Sequence, residues 1–327
     1  MKRILPLFLA ALLAVACNNG GKPRQADPVS AIDYSAIKIP EISADSAYRF
    51  VAEQLDFGFR APGTKGHDQC AKYLESQMRR WCDTVIVQNF TATLWDGSTF
   101  RGHNIIASFS PEKDNRVLLG AHWDSRLWAD HDSDAANHHK PIMGANDGAS
   151  GVGALMEMAR AMATQRPEAG VDIIFFDMED QGIPEWADIY KDNTWCLGSQ
   201  FWANNPHRPF YRANYGILFD MVGTRNLRFT KEEISRTYAS GITDRIFKCA
   251  EALGYGNIFV NQNTDAILDD HMYVNQIIRI PMVDLVQNTP GCSFFPYWHT
   301  VEDNLDCIDA ESLKTTATVA MKMIYAK

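Results

Sequence analysis

The chain has 327 residues, 46% of them hydrophobic, and its 31 basic and 40 acidic side chains give a formal net charge of −9. This length and hydrophobic content suffice for a large folded core, and the acidic balance without a basic block argues against a nucleic-acid partner. After the first twenty residues the sequence contains no apolar run long enough to span a membrane.

Residues 1–17 have the organisation of a bacterial lipoprotein signal peptide. A positively charged start precedes an apolar run over residues 4–15, and Leu13-Ala-Val-Ala-Cys17 resembles a lipobox. In this interpretation Cys17 is lipidated and anchors an exported protein to a membrane, with residues 18–40 as a polar tether. An ordinary secretory signal cleaved nearby is the alternative. Both interpretations predict export, and the lipoprotein is expected on the periplasmic side.

Without Cys17, six cysteines remain, at positions 70, 82, 196, 249, 292 and 307. In an exported chain they allow fifteen disulfide pairings, among which the sequence does not choose. Scattered reduced thiols are the alternative. The absence of a Cys-x-x-Cys spacing disfavours a thiolate zinc site or a redox motif.

Segments with helix and strand periodicity alternate from residue 41 to residue 327. Helices are predicted over residues 43–56, 66–80, 144–164, from 197, 240–253, 270–275 and 311–325. Strands are predicted over residues 83–94, 103–109, 116–122, 171–177, 215–222, 257–260 and 277–286. The first two strands suggest an antiparallel edge. The alternation, without an internal repeat, predicts a single α/β domain with a mostly parallel sheet.

An acidic cluster follows one of the predicted buried strands. Residues 171–176 are β-branched or aromatic except for Asp172, a pattern typical of a buried parallel strand, and Asp177, Glu179 and Asp180 come directly after it. Carboxylates at the carboxyl end of a strand lie where open α/β sheets bind ligands. A metal could divide the roles of the adjacent pair, with one acid as its ligand and the other free for proton transfer. A solvated acidic turn is the alternative for this stretch alone.

Acids and histidines recur near other predicted strand ends. They are His122 and Asp124, Asp147, Asp220 and His299. Carboxylates with imidazole and no thiolate suit a catalytic zinc with an open coordination position. Each residue alone has a structural explanation, as a loop histidine, a helix N-cap or a turn residue. Their recurrence at corresponding strand ends favours one shared site.

The ordered motifs resemble the zinc aminopeptidase and glutaminyl cyclase superfamily from about residue 44 to the C-terminus. The motifs are His122-Trp-Asp124, Asn146 to Gly153, Phe176 to Asp180, Leu197-Gly-Ser199, Phe219-Asp220 and His299-Thr300. The resemblance implies a three-layer α/β domain with a central mixed, mostly parallel twisted sheet flanked by helices. It also implies a zinc enzyme that is a monomer.

Two branches of this superfamily differ in their metal content. The resemblance to di-zinc aminopeptidases implies two zinc ions held by His122, Asp147, Asp180, Asp220 and His299, and all five residues are competent ligands. The resemblance to glutaminyl cyclases implies one zinc per chain, held by Asp147, Asp180 and His299. The ligands alone therefore leave both branches open.

Three features resemble the cyclases, specifically the bacterial enzymes of animal type, which convert the N-terminal glutamine of peptides and proteins to pyroglutamate and release ammonia. Trp186 lies where cyclases carry a pocket tryptophan, Asp269-Asp-His271 matches their Asp-Asp-His, and Trp298 directly precedes the ligand histidine. Core packing is the alternative for the tryptophans. Asp180 departs from the vertebrate enzymes, which have glutamate there, so the metal or the backbone must shift.

We therefore expect Glu179 to take a proton from the α-amine and return it to the departing nitrogen. Asp220 and Asp269 are expected to share the hydrogen-bond network that sets the pKa of Glu179. The expected apolar walls are Trp186, Trp298 and Phe295. A di-zinc aminopeptidase and an exported lipoprotein that binds peptides without turnover are the alternative hypotheses.

Overall fold

The structure, a computed structural model, describes residues 32–288 and 294–326, so the predicted signal peptide, Cys17 and the first part of the tether lie outside the described residues. From Asp33 onward the described residues belong to one compact unit. The predicted tether extends to residue 40, but Tyr34 is buried in the core and the Lys322 ammonium donates to the Ser35 carbonyl. The folded unit therefore begins before residue 41. None of the described helices is both long and apolar enough for a membrane span.

The described helices and strands alternate as the sequence predicts. The helices are α1 (Ala44–Leu55), α2 (Lys65–Met78), α3 (Ala149–Thr164), α4 (Leu197–Asn204), α5 (Glu233–Ala252), α6 (Asp270–Tyr273) and α7 (Ala310–Tyr325). The strands are β1 (Thr84–Thr93), β2 (Thr99–Phe109), β3 (Arg116–His122), β4 (Gly170–Phe176), β5 (Tyr215–Asp220), β6 (Phe229–Lys231), β7 (Phe259–Asn263) and β8 (Met282–Val286). Short 3₁₀ turns span Ala135–Asn137 and Leu305–Cys307, and a π-helical turn spans Val274–Ile278.

Several element boundaries differ from the prediction, two of them for identifiable reasons. Helix α5 begins at Glu233, because the Glu232 carboxylate accepts hydrogen bonds from the backbone amides of Ile234 and Ser235 and caps it, but the non-helical backbone of Ala239 (φ −134°, ψ 33°) interrupts it, so the helix predicted from residue 240 is the segment after this kink. The strand predicted over residues 277–286 begins at Met282, because the π-helical turn continues through Ile278 and ends at Arg279 in a left-handed conformation.

Strands β1, β2, β4, β3, β5 and β8 form one sheet in that order. Strand β2 pairs antiparallel with both β1 and β4, whereas the pairs from β4 through β3 and β5 to β8 are parallel. The predicted mixed, mostly parallel sheet and its antiparallel edge are confirmed. Strands β6 and β7 pair separately.

Helices cover both faces of the sheet, which gives the predicted three layers. Alternate residues of the fully buried strands enter two cores: Leu119 of β3 packs in the core with α1, α3 and α7, and Leu118 packs with Trp202 of α4 on the other face. Helix α3 packs closely against β5, because a Cβ at Gly151 would lie 2.2 Å from the Phe219 carbonyl oxygen. This close approach brings the start of α3 to the carboxyl ends of the strands.

The five cysteines among the described residues are free thiols: Cys70, Cys82, Cys196, Cys249 and Cys307. The part of the chain that the structure describes therefore contains no disulfide, and Cys292 lies outside it.

Candidate active site

The site lies at the carboxyl edge of the parallel strands. Strands β4, β3 and β5 are neighbours, so the residues at and after their carboxyl ends meet at one edge of the sheet. The loop after β8 and the start of α3 complete the site. The side chains brought together are His122, Asp147, Glu179, Asp180, Asp220 and His299, all of them buried.

The three residues predicted to hold a single zinc lie together. His299 Nε2 is 2.9 Å from Asp180 Oδ1 and 3.6 Å from Asp147 Oδ2. Asp147 Oδ2 and Asp180 Oδ2 are buried and have no hydrogen-bond partner among the described residues. Buried carboxylate oxygens without partners are costly unless a cation compensates them. Two carboxylates and one imidazole are a donor set of catalytic zinc, so these residues fit the ion.

A second set of candidate ligands lies beside the first. His122 Nε2 is 3.0 Å from Asp147 Oδ1 and 3.3 Å from Asp220 Oδ1. Burial opposes protonation of His122, but its contacts with Asp124, Asp147 and Asp220 hold its pKa well above the ordinary value. In this structure, His122 Nε2 therefore lies between the two carboxylates with which it would share a second zinc.

Asp124 fixes the loop that carries the acidic pair. Its carboxylate accepts hydrogen bonds from the backbone amides of Glu179 at 3.1 Å and Asp180 at 3.2 Å. Met178 has a left-handed φ of 59°, which turns the chain sharply after β4. The turn and the two hydrogen bonds direct consecutive carboxylates into the same site.

Asp303 holds Asp147 in place, a role that the sequence reasoning did not assign. Its carboxylate accepts hydrogen bonds from the backbone amides of Asn146 at 2.8 Å and Asp147 at 3.0 Å. Burial, with the neighbouring charge of Asp147, raises the pKa of Asp303 to about 8. Asp303 lies in the Glu-Asp-Asn stretch after His299, so its closeness to the ligand histidine was the available signal.

Arg126 and Asp130 support the other two ligands, and the sequence reasoning missed both. Arg126 donates two hydrogen bonds to the Asp130 carboxylate, at 2.7 and 2.6 Å, and a third to the Asp180 carbonyl oxygen at 2.7 Å. Asp130 Oδ1 lies 3.4 Å from His299 Nδ1, the ring nitrogen that faces away from Asp180. One buried guanidinium thus links the surroundings of two zinc ligands.

The carboxylates outside the zinc triad have perturbed proton affinities. Burial raises the pKa of Glu179 well above its ordinary value, and the charge of Asp269 raises it further against the opposing effect of His122. Burial and the charge of Asp220 raise the pKa of Asp269 to about 7. Asp269 therefore interacts through its charge with both Glu179 and Asp220, and the hydrogen-bond network expected among the three stays a prediction.

A cavity of about 140 Å³ opens over these acids. Trp298 lines it as predicted and stacks on His299 with 3.7 Å between ring centroids. The remaining described lining residues outside the acids and His299 are Trp195, Met221, Ile267, Leu268 and Phe294.

Trp186 and Phe295, the two other predicted wall residues, lie elsewhere. Trp186 packs edge-on against Trp128 and is 37% exposed, and Trp195 from the end of the same loop stacks on His299 instead. Phe295 packs in a small apolar cluster that includes Val286, and its neighbour Phe294 lines the cavity. The prediction of Trp186 and Phe295 as walls is therefore corrected to Trp195 and Phe294.

Comparisons with known proteins agree with this geometry. The model of Peptidase family M28 matches residues 104–324. A Tannerella forsythia glutaminyl cyclase has 48% identity, a TM-score of 0.86, and alignment over 88% of this chain and 100% of that chain. A Bacteroides thetaiotaomicron glutaminyl cyclase bound to N-acetylhistamine has 45% identity and a TM-score of 0.87, and the alignment covers 89% of this chain and 100% of that chain. A Zn-dependent exopeptidase from Parabacteroides distasonis has 46% identity and a TM-score of 0.87, and the alignment covers 89% of this chain and 100% of that chain.

Several curated relatives match over shorter stretches. A probable zinc metalloprotease of Pyrenophora teres is 27% identical over 161 residues, which are 44% of this chain and 32% of the relative. The chain thus spans only a third of that relative's length.

Proposed function

The chain belongs to peptidase family M28 as a zinc-dependent enzyme of the glutaminyl cyclase or exopeptidase kind, and on that premise we propose that it is a cyclase. Its proposed reaction converts the N-terminal glutamine of peptides and proteins to pyroglutamate and releases ammonia. The proposed enzyme is a monomer with one zinc ion, anchored through Cys17 on the periplasmic side of a membrane.

The distribution of unsatisfied oxygens supports a single zinc. Asp147 Oδ2 and Asp180 Oδ2, both in the single-zinc triad, lack hydrogen-bond partners among the described residues. Asp220, which only a second ion would recruit, has His122 Nε2 3.3 Å away. Among the five candidate zinc ligands, the buried carboxylate oxygens without a partner therefore belong to two residues of the single-zinc triad. This observation carries the proposal.

The cavity supports a substrate with one inserted side chain. A cavity of about 150 Å³ holds a molecule the size of benzene, and the volume here, about 140 Å³, is similar. Trp195 and Trp298 supply flat apolar walls, and Glu179 supplies a carboxylate beside them. The likeness to two enzymes named glutaminyl cyclases, at 48% and 45% identity, also supports glutamine as that side chain.

The residues divide the chemistry as follows. Asp147, Asp180 and His299 would hold the zinc ion, which would supply Lewis-acid polarisation of the γ-amide carbonyl. Glu179 accepts a proton from the α-amine as the nitrogen attacks the carbonyl carbon (Cδ) of the side-chain amide, and it returns a proton to the amide nitrogen that leaves as ammonia.

Two further features of the site favour this reaction. Asp269, with Asp220 behind it, keeps the proton affinity of Glu179 high enough for both proton transfers. Because nucleophile and amide belong to one residue, the aromatic walls need only hold the glutamine bent.

A di-zinc exopeptidase is the second candidate, because His122 Nε2 lies within 3.3 Å of both Asp147 and Asp220. In that reaction Glu179 would activate water, and the two extra ligands would be essential. Zinc stoichiometry tests the choice. We expect one zinc per chain after dialysis against a weak chelator, and the same count for Asp220→Asn. Two ions per wild-type chain, with one lost in the variant, would favour the exopeptidase.

A further inference from the structure

A buried thiol lies against the proposed base. Cys196 is fully buried directly before α4, and its Sγ donates to Glu179 Oε1 at 3.2 Å. The backbones are also joined, since the Cys196 amide donates to the Glu179 carbonyl oxygen at 2.8 Å. Cys196 has a φ of 56°, a left-handed conformation that non-glycine residues seldom adopt. The backbone is thus in an unfavourable conformation at the residue whose thiol contacts the carboxylate.

The thiol contact makes the two oxygens of Glu179 different. Oε1 accepts from the thiol, whereas Oε2 lies 3.9 Å from His122 Nδ1, beyond hydrogen-bond distance. We propose that Cys196 is a positioning residue, whose thiol fixes Oε1 so that Oε2 is the atom that exchanges protons with the substrate.

A thiol suits this role for two reasons. Burial, with the neighbouring charge of Glu179, raises the pKa of Cys196 well above its ordinary value, so the sulfur keeps its proton and remains a donor. Because S–H is a weak donor, it orients the carboxylate without the strong charge-assisted bond that would reduce its basicity.

The inference rests on the proposed role of Glu179 and is tested with three zinc-loaded variants of the full folded chain. Cys196→Ala removes the donor, and Cys196→Ser replaces it with a hydroxyl. Cys249→Ala is the matched control, because Cys249 is equally buried but lies in α5 against the Val319 carbonyl.

We expect Cys196→Ala to lower kcat roughly fivefold, the net value of one ordinary hydrogen bond, with KM changed less than about twofold. Cys196→Ser should recover part of this loss, because its hydroxyl restores a donor but a stronger one than the thiol, and Cys249→Ala should retain the wild-type kcat. Zinc content and thermal unfolding establish that each variant is folded and loaded.

Two results would overturn the inference. A wild-type kcat for Cys196→Ala would show that the thiol only fills space. An equal loss in Cys196→Ser and Cys196→Ala would show that the shape of the side chain matters and its donor does not. Failure of the cyclase proposal is distinguishable, because the wild type would then release free amino acids. The same variants would be compared on that reaction, in which Glu179 also transfers a proton.

Discussion

Replacing Asp130 by Asn tests whether Asp130 supports zinc binding through His299 in addition to stabilising the fold. The change removes the negative charge that faces His299 Nδ1 at 3.4 Å and weakens the two hydrogen bonds from Arg126. Loss of an outer-shell partner of a ligating histidine costs about 10- to 100-fold in metal affinity. Breaking a buried ion pair costs about 3–5 kcal/mol when one charge is left alone, and Asn, which keeps one acceptor oxygen, should cost less.

Asp172→Asn is the matched control for this prediction. Asp172 also receives two guanidinium hydrogen bonds, from Arg116 at 2.7 and 2.6 Å, but it lies in β4 and outside the described lining of the cavity. Both variants should lower the free energy of unfolding in urea, and only Asp130→Asn should weaken zinc binding. Zinc affinity is measured by competition with a chromogenic chelator in buffer where both variants are folded. An unchanged affinity in Asp130→Asn, or an equal loss in Asp172→Asn, would refute the reasoning.

Three further predictions follow from the geometry. Glu179→Gln should keep its zinc but lose about 10²- to 10⁴-fold in kcat, because a proton-transfer group is removed. Metal analysis and steady-state rates on one preparation check this prediction. A wild-type kcat in the zinc-loaded variant would contradict it. Although burial opposes it, Arg116 holds the pKa of Asp172 below its ordinary value. The stabilisation by this ion pair is therefore fully present above about pH 4 and is lost as pH falls through the lowered pKa. The free energies of unfolding in urea of the wild type and Asp172→Asn should therefore converge in acid. A difference between them that stays constant with pH would argue against a stabilising ion pair. Trp195→Ala should raise KM by roughly tenfold or more, whereas the half-exposed Trp186→Ala should change it less than about twofold; the reverse order would restore the sequence-based assignment of the wall.

The sheet and the metal-ligand set were predictable because each has a local signal. The apolar run before Asp177 is typical of a buried strand, and parallel strands carry their terminal residues to one edge. His122, Asp180 and Asp220 each lie at or just after such an end, so their meeting follows from topology alone.

The support and the walls of the site were not predictable because they depend on long-range contacts. Asp130 reaches His299 from a loop far away in the chain, and no periodicity marks either residue of that pair. In the loop after β4, Trp195 lies so close to Gly182 that a Cβ there would come within 2.0 Å of its ring. The tertiary packing of that loop, not the position of a tryptophan in the sequence, decides which ring faces the cavity. The capping of α5 by Glu232 was missed because glutamate is not a usual N-cap residue.

The central claim is tested most directly by the products formed from two peptides. The purified, zinc-loaded chain is incubated with one peptide that begins with glutamine and one that begins with leucine, and Glu179→Gln serves as the inactive control. Mass spectrometry should show loss of ammonia from the glutamine peptide and an intact leucine peptide. Release of a free amino acid from either peptide would contradict the cyclase and make His122 and Asp220 ligands of a second zinc. No change in either peptide would leave a protein that binds peptides without turnover.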